Sequence, residues 1–161
     1  DNYLYQKVLI ETNTQEYYNS CIKYISIRLR ATKEIDDYLK KKQVAAEDRE
    51  KIIQKLLKKG LLNDEYFTEC FIKDKLRFTN MGEYRIINEL KKLNISSSII
   101  EKYHDLMSRE VMQEKIISRI EKQIKTNRKL DNYKLRNKIY TTLLREGYDN
   151  SQIVNILNQY F

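Results

Sequence analysis

The chain has 161 residues and a formal net charge of +8, with 41% hydrophobic residues, 34% charged residues, three glycines and no proline. This composition excludes a disordered chain and favours helices throughout, and no apolar run is long enough to span a membrane. The isolated Cys21 and Cys70 do not form a disulfide framework, so we expect a reducing compartment, the cytoplasm. A start at Asp1 rather than Met is typical of a fragment or processed chain.

The first predicted repeat covers residues 16–62. Residues 1–15 precede it as an N-terminal stub of uncertain structure, with a β-prone run at 3–10. Apolar spacing predicts three helices in the repeat, over residues 16–29, 33–42 and 46–59. Gly60 fits the left-handed position after the last helix. The first helix is expected to bury four apolar residues: Tyr18, Ile22, Ile25 and Leu29.

The second predicted repeat covers residues 63–108. Asn63 or Asp64 is expected to cap its first helix, whose apolar stripe is Tyr66, Phe67, Cys70, Phe71 and Leu76. A break at residues 79–82 precedes a helix that ends at Asn94, a residue that tolerates the left-handed conformation. The third helix begins at Ser96 or Ser98, either of which is a suitable cap.

The third predicted repeat covers residues 109–161. Its first helix carries apolar residues at steps of four: Met112, Ile116, Ile120 and Ile124. A second helix over about 132–145 is expected to place five residues inward: Tyr133, Ile139, Tyr140, Leu143 and Leu144. Gly147 ends this helix, and Asp149 or Ser151 begins the last one.

The three repeats share one apolar spacing of four and then five residues. The matching sets are Ile35, Leu39 and Val44; Ile86, Leu90 and Ile95; and Ile139, Leu143 and Tyr148, offset by 51 and 53 residues. Units of this size bury too little surface to fold alone, so neighbours should pack together. The sequence therefore predicts an all-α protein, an elongated curved array of three tandem three-helix repeats that presents a long surface to a large partner.

No catalytic, metal-binding or cofactor-binding pattern stands out. His104 is the single histidine, and the two cysteines lack ligand spacing, so we predict no metal, no cofactor and no enzyme. Cys70 lies on an apolar stripe, which favours packing over nucleophilic chemistry. An enzyme that uses Cys70 or His104 is the least favoured of the hypotheses.

The positive charge concentrates in the third repeat. Residues 115–145 hold ten basic side chains against two acidic ones. This window predicts an anionic partner, although solvated helix faces are an alternative. Helical spacing places basic side chains on shared faces, which suit DNA phosphates or an acidic protein surface. The candidate partner-binding residues are Arg85, Lys92, Lys122, Lys125, Lys129, Lys134, Lys138 and Arg145.

Three stretches resemble the central pattern of the RecX regulatory protein family: residues 60–67 (GLLNDEYF), 70–75 (CFIKDK) and 82–90 (GEYRIINEL). Residues 28–30 (RLR) before Glu34 are similar to the family's first-repeat opening, and residues 145–149 (REGYD) to its third-repeat turn. The sequence departs from the family at Ala31, where a Ser or Thr cap is usual, and at Asn94, where Gly is common.

The resemblance implies a non-enzymatic modulator of the RecA recombinase, active in homologous recombination and the SOS response. Such proteins lie along the groove of the RecA filament on DNA and usually suppress its ATPase and strand exchange. Arg85 is the residue that the matched motif carries over. The expected partners are RecA and single- or double-stranded DNA, with no membrane and a monomeric chain. The alternative is a general nucleic-acid-binding helical protein or repressor, which the net charge alone suggests.

Overall fold

The computed structural model describes residues 2–161, and within that range it contains nine α-helices, one short 3₁₀ helix and no strand. This confirms the predicted all-α class. The helices are α1 (Asn2–Ile27), α2 (Thr32–Lys41), α3 (Ala46–Lys58), α4 (Asp64–Phe78), α5 (Glu83–Lys92), α6 (Ser97–Lys102), α7 (Arg109–Thr126), α8 (Asn132–Glu146) and α9 (Asn150–Leu157), with the 3₁₀ helix at His104–Met107.

The chain divides into two compact units, one ending at Phe67 and the other covering Thr68–Phe161. The first has a core built from α1, α2, α3 and the connections that follow α2 and α3: Tyr18, Cys21, Ile35, Leu39, Val44, Ile52, Ile53, Leu56 and Leu62. The second buries Ile and Leu side chains from α4 to α9. It contains most of what the sequence divides into a second and a third repeat, and the repeat boundaries stay a prediction.

The repeated apolar spacing marks the same helix ending in each predicted repeat. All nine residues of the three sets are buried. The residue before the last member of each set has a positive φ: 62° at Gln43, 56° at Asn94 and 100° at Gly147. The following N–H then donates to the carbonyl five residues earlier, at 3.1 to 3.2 Å in all three places. This is the Schellman ending, which satisfies carbonyls that a helix terminus leaves open.

The sequence left the structure of the N-terminal stub open, and residues 2–15 form the first half of α1 despite their β-prone run. No glycine or proline interrupts the helix. Side-chain bonds four residues apart support it, from Thr12 Oγ1 to the Val8 carbonyl and from Thr14 Oγ1 to the Ile10 carbonyl, both at 2.9 Å. Strand propensity reports packing on a pleated surface, and the described chain offers no such surface.

Several predicted apolar stripes are correct only in part. On α1 the buried residues are Tyr18 and Cys21, whereas Ile22 is exposed. Leu29 lies beyond the end of α1 and is also exposed. On α4 the fully buried residues are Thr68 and Ile72. On α8 the predicted Ile139 and Leu143 are buried, and Leu135 is buried with them. Tyr66, Tyr133 and Leu144 are exposed, contrary to prediction. When apolar residues cover more than one row of a helix, their spacing alone does not show which row faces the core.

The missing Ser or Thr cap at Ala31 is replaced by a side chain from another helix. Ala31 makes no side-chain cap bond. The Asp64 carboxylate, in the first turn of α4, instead accepts the Thr32 N–H at 2.8 Å. Asn63 caps α4 itself, since its Oδ1 accepts the Tyr66 N–H at 3.1 Å. Both alternatives for the α4 cap are therefore used, one for each helix.

Candidate partner-binding surface

Two glycines join α5 to the end of α8 by backbone contact. The Gly82 N–H donates to the Glu146 carbonyl at 2.8 Å, and the Tyr84 N–H donates to the Gly147 carbonyl at 3.0 Å. A Cβ on Gly147 would lie 2.5 Å from the Arg85 Cβ, and a Cβ on Gly82 would lie 2.6 Å from the Gly147 carbonyl carbon. The start of α5 and the end of α8 are therefore as close as backbones can pack.

This junction brings Arg85 and Arg145 into one shallow cavity of about 400 Å³. The rest of its lining is Tyr84, Ile87, Asn88, Lys91 and Gly147. The two arginines lie 60 residues apart in sequence but share this wall because their helices meet at the glycines. Sequence spacing placed them on separate helix faces and gave no sign that they meet.

All eight candidate residues are exposed and lie in the second unit. Two of them have local partners. Lys92 Nζ lies 3.5 Å from the Glu89 carboxylate, and Lys138 Nζ donates to Asn127 Oδ1 at 2.7 Å. None of the other six forms an ion pair within residues 2–161. These six are Arg85, Lys122, Lys125, Lys129, Lys134 and Arg145.

The Lys138–Asn127 bond connects the basic residues of α7 with those of α8. Lys122 and Lys125 lie in the last turns of α7, while Lys129 lies in the link that follows it. Asn127 is the C-cap of α7, so the bond fixes α8 against that link. On α8, Lys134 and Lys138 are one turn apart, and Arg145 lies two turns further along.

A largely buried ion pair between α7 and the end of α8 escaped sequence analysis. Arg119 on α7 makes two hydrogen bonds to the Glu146 carboxylate, one of them 3.1 Å from Nε to Oε2. The two side chains are only 12% and 13% exposed. Their separation of 27 residues follows no helical period, so no spacing rule could detect the pair.

Lys115 lies beside that pair and closes the end of α4. Its Nζ donates to the Leu76 carbonyl at 3.0 Å and the Thr79 carbonyl at 2.9 Å. Burial lowers the pKa of Lys115 below its usual value, which Glu146 opposes and Arg119 reinforces. The basic window of the third predicted repeat therefore includes two side chains, Lys115 and Arg119, that stabilise the fold rather than face a partner.

In the first unit a stack of alternating cations and tyrosines holds the loop before α2. Arg30 lies 3.6 Å above the Tyr24 ring, and Tyr24 stacks on Tyr38 with 4.3 Å between ring centroids. Lys42 covers the far side of Tyr38 at 5.0 Å. Arg30 is buried and also donates to the Tyr24 carbonyl at 3.2 Å. Arg30, the second arginine of the RLR opening, is therefore a packing residue.

Comparison with known proteins places the chain in a family. Residues 18–60 match the family model described as "RecX, first three-helix domain". The regulatory protein RecX of Finegoldia magna is 33% identical over 150 residues, which cover 92% of this chain and 73% of that protein. The chain belongs to the RecX family.

Other relatives named regulatory protein RecX are longer than this RecX-family chain. The one from Oceanobacillus iheyensis is 28% identical over 142 residues, and the chain covers 52% of it. The one from Listeria monocytogenes is 33% identical over 130 residues, and the chain covers 48% of it. The chain therefore spans about half the length of these two relatives.

Two solved RecX structures share the fold. The crystal structure of RecX from Lactobacillus salivarius has a TM-score of 0.82 at 26% identity, covering 92% of this chain and 97% of that one. A second crystal structure, of a regulatory protein RecX, has a TM-score of 0.85 and covers 96% of this chain and 78% of that one. At 20% identity this second match supports the fold alone.

The histidine and cysteines of this RecX-family chain occupy ordinary surroundings. His104 Nε2 lies 3.8 Å from the Glu83 carboxylate on an exposed face. Burial raises the pKa of Cys21 to about 11, which disfavours a nucleophilic thiolate. Within residues 2–161 no three His, Cys, Asp or Glu side chains lie close enough to hold a metal ion. Over the same residues, no helix has both the length and the apolar character to cross a bilayer.

Proposed function

We propose that this chain is a non-enzymatic regulator of a RecA recombinase. It binds along the groove of the RecA filament on DNA, as a monomer in the cytoplasm, and suppresses the ATPase and strand exchange of the filament. Family membership supports the regulatory role, since the relatives are named regulatory proteins. RecA and DNA are proposed as partners because the sequence resembles the RecX family.

The exposed basic surface is the observation that carries the proposal. The eight candidate cations of the second unit are exposed, and six of these eight form no ion pair in the described chain. Solvated cations without local carboxylates are free to meet phosphates or acidic side chains. The proposed contact residues are Arg85, Lys92, Lys122, Lys125, Lys129, Lys134, Lys138 and Arg145.

Tandem repeats suit a filament because they repeat a contact along it. A chain that engages several protomers at once gains avidity from each additional contact without requiring any of them to be strong. Such binding suppresses ATP hydrolysis if it favours a filament state with low activity, because a ligand shifts an equilibrium by its differential affinity for the two states. No catalytic side chain in the regulator is required.

The experiment is the DNA-dependent ATPase rate of the cognate RecA on preformed filaments, titrated with this chain. A Lys134→Glu/Lys138→Glu/Arg145→Glu variant runs beside the wild type. We expect dose-dependent inhibition by the wild type and its loss in the variant, because three charge reversals turn attraction into repulsion.

The matched control reverses three exposed lysines on first-unit helices, Lys7, Lys23 and Lys51. This variant carries the same change in net charge and should inhibit like the wild type. Equal loss in both variants would mean that net charge, rather than this surface, is responsible. No inhibition by the wild-type chain at saturation would overturn the proposal.

The net charge of +8 favours a second candidate, a general nucleic-acid-binding protein or repressor. Binding of that kind needs no recombinase and weakens steeply with salt, because each phosphate contact releases a counterion.

The Cys70→Ala/His104→Ala variant tests the hypothesis that the chain is an enzyme that uses Cys70 or His104. An unchanged effect of that variant on RecA would remove both side chains from the mechanism.

A further inference from the structure

The cavity at the glycine junction has a positive wall that is not neutralised locally. Its charged lining is Arg85, Lys91 and Arg145, and among the described residues no carboxylate lines it. None of these three cations forms an ion pair within residues 2–161. Of the acids near these cations in sequence, Glu83 lies 3.8 Å from His104, Glu89 lies 3.5 Å from Lys92, and Glu146 bonds Arg119. Asp149 accepts the Gln152 N–H with Oδ2 at 3.0 Å, and its Oδ1 accepts the hydroxyl of Tyr84 at the edge of the cavity.

Two arginines that converge from different helices suit a phosphate group. A guanidinium presents its donors as a planar fork that matches phosphate oxygens, and it stays charged at every physiological pH. Here the two side chains start from backbones held together by the Gly82 and Gly147 contacts. Little of the geometry must therefore be organised at the moment of binding.

Tyr84 gives the same cavity an aromatic wall. Its side chain is exposed, at 55%, and its hydroxyl donates to Asp149 Oδ1 at 3.1 Å. That bond restrains the ring at the edge of the cavity, beside Ile87 and Asn88. An exposed, oriented ring next to phosphate-binding cations is the arrangement on which an unpaired base stacks.

We propose that this cavity binds one nucleotide of single-stranded nucleic acid. Arg85 and Arg145 contact its phosphate, and the Tyr84 ring stacks on its base. A volume of about 400 Å³ is within the range of small-ligand sites. The exposed ring favours a nucleotide over an acidic peptide, because a base can stack on the ring whereas the carboxylates of a peptide would contact only the cations. The inference rests on the proposed function, because it specifies the ligand of two residues on the same surface.

The test is fluorescence anisotropy of a labelled thymidine oligonucleotide with the chain alone, without recombinase. We expect Tyr84→Ala and Arg85→Ala/Arg145→Ala each to weaken binding roughly tenfold, within the range that one stacked base or lost phosphate contacts contribute. Tyr84→Phe keeps the ring but loses its bond to Asp149, so it should bind more weakly than the wild type and more tightly than Tyr84→Ala. A duplex of equal length should be insensitive to Tyr84→Ala, since its bases are already paired and stacked.

Lys7→Ala/Lys51→Ala is the matched control, because it removes two exposed positive charges from the first unit. It should leave most of the oligonucleotide affinity intact. Wild-type affinity in Tyr84→Ala would overturn the nucleotide site. So would a poly-glutamate peptide that competes with the oligonucleotide and depends on Arg85 and Arg145 but not on Tyr84, since the occupant would then be an acidic protein.

ATPase inhibition of the recombinase, measured with the same variants, separates this inference from the proposed function. Tyr84-dependent oligonucleotide binding by a chain that never inhibits the recombinase keeps the nucleotide site and rejects the regulator. Inhibition by a chain whose oligonucleotide binding ignores Tyr84 keeps the regulator and rejects the nucleotide site.

Discussion

At the scale of single residues, Gly147 has two roles that a side chain would spoil. Its φ of 100° is unfavourable for any residue with a Cβ, and its α-carbon faces the Arg85 backbone. Gly60 shares the positive φ, at 74°, but has open space around the position of a Cβ. A side chain at Gly60 would therefore cause conformational strain alone, whereas a side chain at Gly147 would cause both strain and a steric clash.

Gly147→Ala should destabilise the second unit by about 2 to 4 kcal/mol, since it combines left-handed strain with a clash against backbone. Gly60→Ala should cost only about 1 kcal/mol, from strain alone. Urea unfolding of the two variants measures both values. Equal losses would show that the α5–α8 contact tolerates a methyl group and is looser than described.

The Arg119–Glu146 pair is a second residue-scale feature with a measurable effect. Because both side chains are largely buried, Arg119→Ala should lower the free energy of unfolding by about 3 kcal/mol, leaving Glu146 without its partner. Replacing both with apolar residues, Arg119→Met/Glu146→Leu, should recover most of that loss. A double-mutant cycle in urea measures the coupling, and a single-variant loss below about 0.5 kcal/mol would contradict a buried pair.

At the scale of elements, the turn between α2 and α3 depends on an ionised Asp36. Its carboxylate accepts Arg49 Nε at 2.9 Å and lies 3.0 Å from Lys40 Nζ. Burial alone would raise the pKa of Asp36, but these two hydrogen bonds and charges outweigh it and lower the pKa below the usual value. Asp36 therefore binds its proton less readily in the folded chain than in the unfolded one.

The lowered pKa of Asp36 makes its contribution to the free energy of unfolding depend on pH. A depressed pKa contributes stability above the unfolded pKa, and that contribution is lost as the pH falls through the folded pKa. Asp36→Asn should therefore lower the urea midpoint at about pH 7 and leave it close to wild type at about pH 2.5. Glu16→Gln, an exposed acid on α1, should change little at either pH. An Asp36→Asn loss that is equal at both pH values would contradict this account.

The cap of α2 gives a further element-scale prediction. Asp64→Ala removes the acceptor of the Thr32 N–H and should cost about 1 kcal/mol, as for other lost helix caps. Asp64→Asn keeps a side-chain oxygen and should cost less. Chemical denaturation followed by circular dichroism measures both, and equal losses would show that charge rather than the cap bond stabilises the helix.

The sequence predicts an element well when neighbouring residues determine its structure. The three Schellman endings rest on apolar residues at fixed spacing, so the helix ends near Asn94 and Gly147 could be predicted. Gln43 takes the same left-handed conformation without any compositional sign, because the buried Val44 that follows it fixes the turn. The first half of α1 could not be predicted for the opposite reason, since strand-favouring residues lie there in a helix without a partner strand.

At the scale of the whole molecule, the sequence predicts which residues carry charge but not which of them meet. Helical spacing alone keeps all eight candidate cations out of the core, and the structure leaves them exposed. Their role in binding stays a prediction. The convergence of Arg85 and Arg145 depends on two glycines 65 residues apart, and the withdrawal of Arg119 and Lys115 into packing depends on partners far along the chain. Neither follows from local pattern.

The proposed function requires that the chain bind the recombinase filament more strongly than it binds bare DNA. The most direct measurement is anisotropy of the labelled chain with a RecA-coated oligonucleotide and with the same oligonucleotide bare, over rising salt. We predict binding to the filament that persists at salt concentrations where binding to bare DNA has been lost, because protein contacts add to the phosphate contacts that counterions weaken. Equal or tighter binding to bare DNA at every salt concentration would contradict the account.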